Sequence, residues 1–315
     1  MKKNLALTLH KKLILKMLLV FFVALSATGA SAQTNSRWDT FSRKWRDIAY
    51  ATGSEAQKLD VYLPENGDGP FPVMVWIHGG GWRSGDKRVG NPAWVDNGFA
   101  FVTINYRLSS EALFPAQIYD VKAAIRWVKA NAATYNLDPE KVIVGGSSAG
   151  GHLASLATTS AGIKELEDLT MGNAEFSSEV LGCYNQYGPI NFLEMDQFFI
   201  RDGKEDFHRQ LKPESETSQL MGGLITEHPE KVRLADPSVY MSEKTPPFFI
   251  VHGTVDTLVS VRSSEKLAAD LRKIIGSEKV VLELLEGAGH GGDPRFNNAE
   301  LNKRAVDFFK KYSFK

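Results

Sequence analysis

Residues 142–152, which read VIVGGSSAGGH, restrict the fold more than any other part of the sequence. The apolar residues 142–145 predict a buried strand, and the residues from His152 onward predict the start of a helix. The pattern G-x-S-x-G stands between them and places a serine on a turn too sharp for side chains at its flanks. The N–H groups that follow such a serine lie at a helix N-terminus, where they stabilise negative charge. The stretch therefore predicts a strand-turn-helix unit that presents a nucleophilic serine above the edge of a sheet.

Two adjacent serines, Ser147 and Ser148, occupy this turn. Ser148 has glycine both two residues before it and two residues after it, whereas Ser147 is followed two residues later by Ala149. We therefore predict Ser148 as the nucleophile, and we expect the Ser147 side chain to point away from the crevice. The pattern is short enough to occur by chance, so this interpretation depends on the surrounding sequence.

Strands and helices alternate along most of the chain, which predicts an α/β fold with a mainly parallel sheet covered by helices on both faces. Apolar or alternating runs predict strands at 47–51, 58–63, 72–78, 100–105, 142–145, 180–187, 247–252 and 280–285. Helical spacing predicts helices at 92–97, 116–133, 265–275 and 300–312, besides the helix after the serine. We expect residues 33–46 to form an N-terminal arm and residues 47–315 to form one catalytic domain. Within it, residues 190–245 are either a small cap over the pocket or a solvated insertion.

The first 32 residues have the layout of a signal peptide. Five lysines form a basic region, residues 17–25 form a short apolar core, and Ala30-Ser31-Ala32 is a cleavage site that leaves Gln33 as the first residue. A membrane anchor is the alternative, but the apolar core is only about half of the ~20 residues that span a bilayer. We therefore expect a periplasmic or secreted protein without stable membrane insertion after cleavage.

Charge and cysteine content limit the possible partners. The chain holds 37 basic and 37 acidic residues, and removal of residues 1–32, with five lysines and no acid, leaves 32 against 37, a net charge of −5. A mildly acidic chain gives no support for nucleic-acid binding. Cys183 is the only cysteine, so no internal disulfide can form, and we interpret it as a buried small apolar residue. The oligomeric state is left open.

A serine nucleophile needs a base and a group that orients the base. In enzymes with this serine turn, an acid and then a histidine follow the serine along the chain. His290 is the only histidine after the last predicted strand, and its glycine-rich loop can bring an imidazole over the sheet edge. Asp256 follows the preceding strand by a few residues, at the edge where Ser148 lies. We predict Ser148, Asp256 and His290 as the catalytic residues. We interpret His252 as a structural residue at a strand end.

Attack on a carbonyl group creates a negative oxygen that needs hydrogen-bond donors. The sequence HGGG at 78–81 follows an early strand, and its glycines let the backbone approach a carbonyl without obstruction. We predict that the N–H groups of Gly80, Gly81 and Ala149 hold this oxygen. No metal and no organic cofactor is expected, since the sequence has no Cys/His cluster with metal-ligand spacing.

Several further stretches carry a specific resemblance. They are LDVYLP at 59–64, HGGGWRSGDK at 78–87, YRL at 106–108, FPA at 114–116 with Asp120, HGTVD at 252–256 and GH at 289–290. Together with the serine turn, they resemble the α/β-hydrolase superfamily, in the group of hormone-sensitive-lipase-like enzymes and bacterial feruloyl and acetylxylan esterases, the BD-FAE type. The resemblance covers nearly the whole chain after residue 47, and it is more specific for the fold and the catalytic residues than for the substrate.

The resemblance implies an exported serine esterase that removes acetyl or feruloyl groups from plant polysaccharides through an acyl-enzyme. Its partner would then be a small acyl ester or an acylated polysaccharide. Two alternatives remain open. A serine aminopeptidase or amidase shares the serine pattern, but it needs an acidic clamp for a free amino terminus, and no suited Glu-Glu pair stands out. A catalytically silent carbohydrate-binding module on the same fold would be free to lose Ser148 or His290.

Overall fold

A computed structural model describes residues 37–204, 207 and 209–314. The predicted signal peptide, its cleavage site and the first residues of the predicted arm lie outside this range. The chain divides into a short N-terminal unit, residues 1–40, and a large unit, residues 41–315. Residues 37–40 of the first unit are helical. The large unit contains an eight-stranded sheet.

The sheet is mainly parallel. In chain order its strands are β1 (Lys44–Ala49), β2 (Lys58–Tyr62), β3 (Phe71–Ile77), β4 (Ala100–Ile104), β5 (Leu137–Ser147), β6 (Cys183–Gln186), β7 (Phe248–Gly253) and β8 (Val280–Leu285). Their order in the sheet is β1-β2-β4-β3-β5-β6-β7-β8. β2 is antiparallel to both of its neighbours, and every other pair of neighbours is parallel. The carboxyl ends of β3 to β8 therefore meet at one edge of the sheet.

Helices connect these strands. In the large unit they are α1 (Ala93–Asp96), α2 (Ala116–Ala130), α3 (Ala149–Thr159), α4 (Met195–Arg201), α5 (Glu216–Met221), α6 (Pro229–Leu234), α7 (Val261–Ile275) and α8 (Ala299–Tyr312). α2 and α3 are buried over most of their length. α7 and α8 bury one apolar stripe and expose charged residues on the opposite face, as the helical spacing of their apolar residues predicts.

The central strands are covered on both faces. Every residue of β4 is buried, and in β3 only one residue of the run FPVMVWI is partly exposed. Successive side chains of a strand point to opposite faces, so burial at consecutive positions requires a layer on each side. This architecture confirms the predicted α/β class with a mainly parallel sheet.

Most predicted elements agree with the structure to within a few residues, and two strands differ. β1 begins at Lys44, three residues before the predicted start, because Lys44 pairs with Tyr62 of β2. Residues 44–46, KWR, have no alternation that predicts a strand, so this part of β1 is recognised only by its pairing with β2. β5 extends back to Leu137, because Leu137 pairs with Phe71 at the start of β3. Cys183 is buried in β6, and burial raises the pKa of its thiol to about 12.

The described part of 190–245 forms the short helices α4 to α6 and several single turns. The ring of Phe192 contacts those of Trp82 and His152, with centroids 5.3 Å and 4.8 Å apart. His152 Nε2 also lies 2.7 Å from the carbonyl oxygen of Ala235. Since His152 belongs to α3, the helix that follows Ser148, these contacts hold the segment against the serine helix.

Candidate active site

Ser148 occupies a strained turn between β5 and α3. Its φ of 54° and ψ of −122° are rare for a residue that carries a side chain. The flanking glycines are required by space. A Cβ at Gly146 would lie 2.5 Å from the backbone of Gly150, and a Cβ at Gly150 would lie 2.1 Å from the carbonyl oxygen of Ile77. The turn therefore has the sharpness that the sequence pattern predicts.

Three side chains from three separate loops form a hydrogen-bonded series. Ser148 Oγ lies 2.9 Å from His290 Nε2, and His290 Nδ1 lies 2.7 Å from Asp256 Oδ2. With its proton on Nδ1, His290 donates to the carboxylate and accepts from the serine hydroxyl. Asp256 follows β7 and His290 follows β8, so the shared sheet edge brings both residues to the serine turn.

Asp256 is buried, and four groups donate hydrogen bonds to its carboxylate. Oδ1 accepts from the N–H groups of Leu258 and Val259 at 2.8 Å and 2.9 Å. Oδ2 accepts from His290 at 2.7 Å and from His252 at 3.1 Å. Burial alone would raise the pKa of Asp256, but the bonds from His252 and His290 outweigh it and hold this pKa well below its usual range. The carboxylate therefore stays charged at neutral pH.

His252 belongs to this site, although the sequence indicated only a structural position at a strand end. It is fully buried in β7. Its Nε2 lies 3.1 Å from Asp256 Oδ2 and 3.0 Å from the carbonyl oxygen of Val259, so Nε2 carries the proton. Its Nδ1 lies 2.7 Å from Ser264 Oγ of α7 and accepts from that hydroxyl. In the sequence, the only indication of this contact is that His252 and Asp256 are four residues apart, on either side of the end of β7.

The glycine loop after β3 passes directly beside the serine. A Cβ at Gly79 would lie 3.2 Å from Ser148 Cβ. Gly80 and Gly81 have φ values of 106° and 59°, in the region that favours glycine. Ala149 is the first residue of α3. Among the described residues, no protein oxygen accepts a hydrogen bond from the N–H groups of Gly80, Gly81 or Ala149.

His78 fixes the shape of this loop. Its ring is buried and stacks on Tyr106 with the centroids 4.4 Å apart, and the Tyr106 hydroxyl donates to the His78 carbonyl oxygen at 3.2 Å. Burial lowers the pKa of His78, so the ring is neutral at neutral pH. Its Nδ1 lies 2.7 Å from the carbonyl oxygen of Gly79, to which the neutral ring can donate. The first residue of HGGG thus supports the loop from within the protein.

A cavity of about 500 Å³ has Ser148 and His290 in its wall. The loop at 79–85 forms another part of the wall. The segment 190–245 contributes Met195, Gln210, Glu216 and Thr217. Glu216 pairs with Arg83 of the glycine loop, with Oε1 and Nη2 2.9 Å apart. The segment therefore lines the same cavity as the serine.

The expected orientation of Ser147 is wrong. Ser147 lines the cavity, and its hydroxyl lies close enough to Tyr187 to affect the pKa of that residue. Tyr187 has a φ of 43° at the end of β6, and the edge of its ring meets His290 at a centroid distance of 4.8 Å. Burial, together with the nearby charge of Asp256, raises the pKa of Tyr187 to about 12, so it keeps its proton. No sequence pattern indicated that Tyr187 belongs to the site.

Within the described ranges, no group of three or more His, Cys, Asp or Glu side chains is arranged to hold a metal ion. Over the same part of the chain, the helices are all too short or too polar to cross a bilayer.

The strand order, the serine turn and the residues at the sheet edge define an α/β-hydrolase fold. An esterase of Thermogutta terrifontis with bound propionate has this fold, at 24% identity and a TM-score of 0.66 over 86% of this chain and 94% of that one. The present chain matches the BD-FAE family over residues 59–271 and belongs to that family. The family resemblance predicted from the sequence is thereby confirmed.

Two further solved structures are more similar to this chain in sequence. A truncated carbohydrate esterase from gut microbiota is 30% identical, with a TM-score of 0.77 over 88% of this chain and 98% of that one. A bifunctional GH43-CE protein of Bacteroides eggerthii is 34% identical, with a TM-score of 0.76 over 85% of this chain and 38% of that one.

Curated relatives are also named for ester hydrolysis. Esterase LipQ of Mycobacterium tuberculosis is 31% identical over 259 residues, which cover 80% of this chain and 58% of LipQ. The probable carboxylic ester hydrolase LipM of the same organism is 30% identical over 76% of this chain and 54% of LipM. The chain thus spans little more than half the length of these relatives.

Proposed function

We propose that this protein is a serine carboxylic ester hydrolase with Ser148, His290 and Asp256 as its catalytic residues. The observation that carries the proposal is the pair of hydrogen bonds, 2.9 Å and 2.7 Å, that joins these side chains in series. The names of the relatives LipQ and LipM support the same reaction class.

In this proposal, His290 Nε2 takes the proton of Ser148 as the serine oxygen attacks the ester carbonyl. Asp256 holds the Nδ1–H tautomer of His290 and stabilises the imidazolium that forms. His290 then gives its proton to the departing alcohol, which leaves an acyl group on Ser148. Water, deprotonated by His290, releases the acid and restores the serine hydroxyl.

The negative oxygen of the tetrahedral intermediate is proposed to bind to the N–H groups of Gly80, Gly81 and Ala149. The close approach of Gly79 to Ser148 supports this placement, because it brings the glycine loop to the position of a bound carbonyl. Ala149 adds the N–H group at the first position of α3, where the helix dipole favours negative charge.

For the substrate, we propose acetyl or feruloyl esters of plant polysaccharide. Membership in the BD-FAE family supports this choice, as does the neighbouring structure that is named a carbohydrate esterase. Export to the periplasm or the medium, proposed from the layout of residues 1–32, would bring the enzyme to such a polymer. No observation favours an aminopeptidase, because Glu216, the acidic side chain that lines the described cavity, is paired with Arg83.

The test is turnover of p-nitrophenyl acetate by the exported form of the wild type and by Ser148→Ala. We expect the variant to lose roughly 10⁴–10⁶-fold in kcat without loss of folding, and His290→Ala and the double variant to lose about as much, because the residues act as a unit. Near-full activity of Ser148→Ala would refute the assignment. A wild type that turns over none of the esters would favour the silent carbohydrate-binding module. Acetylated xylan and methyl ferulate, assayed in parallel, decide between acetyl and feruloyl groups.

A further inference from the structure

The wall of the cavity contains a buried amide, Gln210, whose position is fixed on several sides. The residue is only 3% exposed. Its Oε1 accepts from the Thr217 hydroxyl at 2.8 Å, and its carbonyl oxygen accepts from the Ser215 hydroxyl at 2.8 Å. Its backbone N–H donates to Asp196 Oδ1 at 2.6 Å. The main chain and one end of the amide are therefore held in place by the protein.

The other end of this amide is not used by the protein. An amide group offers two N–H donors at its nitrogen. No hydrogen bond from Gln210 Nε2 to a described residue is present, and Nε2 is not among the fully buried atoms that lack a partner, so it keeps contact with solvent. Gln210 lines the cavity that contains Ser148. Its N–H groups are therefore donors that a molecule in the cavity can use.

The surroundings of Gln210 place it beside the glycine loop. Glu216 stands next to Thr217 and packs on Gly81, where an added Cβ would lie 2.6 Å from Glu216 Cγ. Glu216 also pairs with Arg83 at 2.9 Å. Gly81 carries one of the N–H groups proposed to hold the reacting oxygen, so this polar wall adjoins the reaction site. A ligand that reaches Gln210 from Ser148 meets hydrogen-bonding groups there.

We infer that Gln210 and Thr217, with the Arg83–Glu216 pair beside them, form a subsite for hydroxyl groups of a sugar whose ester is being cleaved. A sugar hydroxyl both donates and accepts, so it can bind the amide nitrogen and the neighbouring carboxylate or hydroxyl. An aliphatic alcohol in the same position would cover the N–H groups of the amide without offering them an acceptor, which a site of this kind rejects. The inference rests on the proposed function, and it assigns recognition of the alcohol portion to named residues.

The experiment compares two acetyl esters, acetylated xylobiose and cyclohexyl acetate, which differ in the hydroxyl groups of the alcohol. Gln210→Met keeps the approximate size of the side chain and removes its N–H groups. We expect the ratio of kcat/KM for the sugar ester to that for the cyclohexyl ester to fall about 5- to 10-fold, the effect of one neutral hydrogen bond. Thr217→Val, which removes the hydroxyl that orients the amide, should lower the same ratio to a smaller extent.

The matched control is Gln219→Met, because Gln219 is exposed and donates to the carbonyl oxygen of Glu214 at 3.0 Å. This variant should leave the ratio unchanged. An equal loss on both esters in Gln210→Met, or an unchanged ratio in both cavity variants, would overturn the subsite while the esterase proposal stands. A wild type that cleaves cyclohexyl acetate but not acetylated xylobiose would overturn the subsite together with the carbohydrate substrate. Thermal unfolding of each variant separates loss of folding from loss of selectivity.

Discussion

Replacing His252 tests whether a buried histidine that does not touch the serine positions Asp256, the proposed catalytic acid. His252 Nε2 supplies one of the four hydrogen bonds that Asp256 accepts. His252→Met removes this donor, and His252→Gln keeps an N–H donor at about the same distance from the backbone. Both variants lose the ring nitrogen that accepts from Ser264. The difference in activity between the two variants therefore measures the contribution of the hydrogen bond to Asp256.

The size of the effect follows from the geometry. A hydrogen bond to a charged group contributes about 1.5–3 kcal/mol. The bond from His252 is the longest of the four at 3.1 Å, and its N–H is shared with the Val259 carbonyl oxygen, so the lower value applies. About 1.4 kcal/mol corresponds to a tenfold change in rate. We therefore expect kcat/KM of His252→Met to fall about tenfold below that of His252→Gln, because Asp256 retains three donors.

The assay is kcat/KM for p-nitrophenyl acetate as a function of pH, with thermal unfolding of each variant as the control. Without the N–H group of His252, the negative charge on Asp256 Oδ2 is less neutralised and stabilises the protonated form of His290 more strongly. The acid limb of the pH profile should therefore move to higher pH in His252→Met and stay near the wild-type position in His252→Gln. Equal activity and equal pH profiles for the two variants would show that His252 acts only in packing.

Two further predictions concern residues of the same site. Asp256→Asn should lower kcat roughly 10³–10⁴-fold, because it removes the orientation of His290 but leaves the proposed nucleophile and base in place. Because the folded-state pKa of Asp256 is lowered, its charge stabilises the fold above an unfolded-state pKa of about 4, and this contribution is lost as the pH falls below that value. Urea unfolding at several pH values should thus show a difference between wild type and variant that shrinks in acid, and a constant difference would contradict the argument. Ser147→Ala should lower kcat/KM by no more than roughly 10-fold, because Ser147 only adjoins Tyr187, whose ring contacts His290. A loss as large as that of Ser148→Ala in the same p-nitrophenyl acetate assay would show that the two serines were assigned in the wrong order.

The sequence predicted those parts of the site that depend on backbone connectivity. Parallel strands bring their carboxyl ends to one edge, so residues that follow successive strands converge without any knowledge of side-chain contacts. Ser148, Asp256 and His290 each follow such a strand, and in the structure both Ser148 and Asp256 lie within hydrogen-bond distance of His290. The sharp turn at Ser148 was also predictable from its flanking glycines. In the structure, a side chain at either glycine would collide with nearby backbone atoms.

Residues that act through contacts between loops were not predictable in this way. His252 reaches Asp256 because a tight turn, in which the Asp256 N–H approaches the Gly253 carbonyl oxygen at 3.4 Å, folds the carboxylate back over the end of β7. Gln210 enters the cavity wall because Asp196, Thr217 and Ser215 fix it from three positions in the segment. The position of Gln210 has no sequence pattern, and the four-residue spacing of His252 and Asp256 indicates their contact only once the turn after β7 is known.

Tyr187 shows why a strained residue at this edge escapes prediction yet has a physical role. Its N–H donates to the Val251 carbonyl oxygen at 2.8 Å, which ties the end of β6 to β7. Its ring meets Phe296 as well as His290, each with centroids 4.8 Å apart. A positive φ at a residue with a large side chain persists only where surrounding contacts determine it. These contacts hold the Tyr187 ring beside His290. The Tyr187 ring therefore limits the positions that the His290 imidazole can adopt next to Ser148.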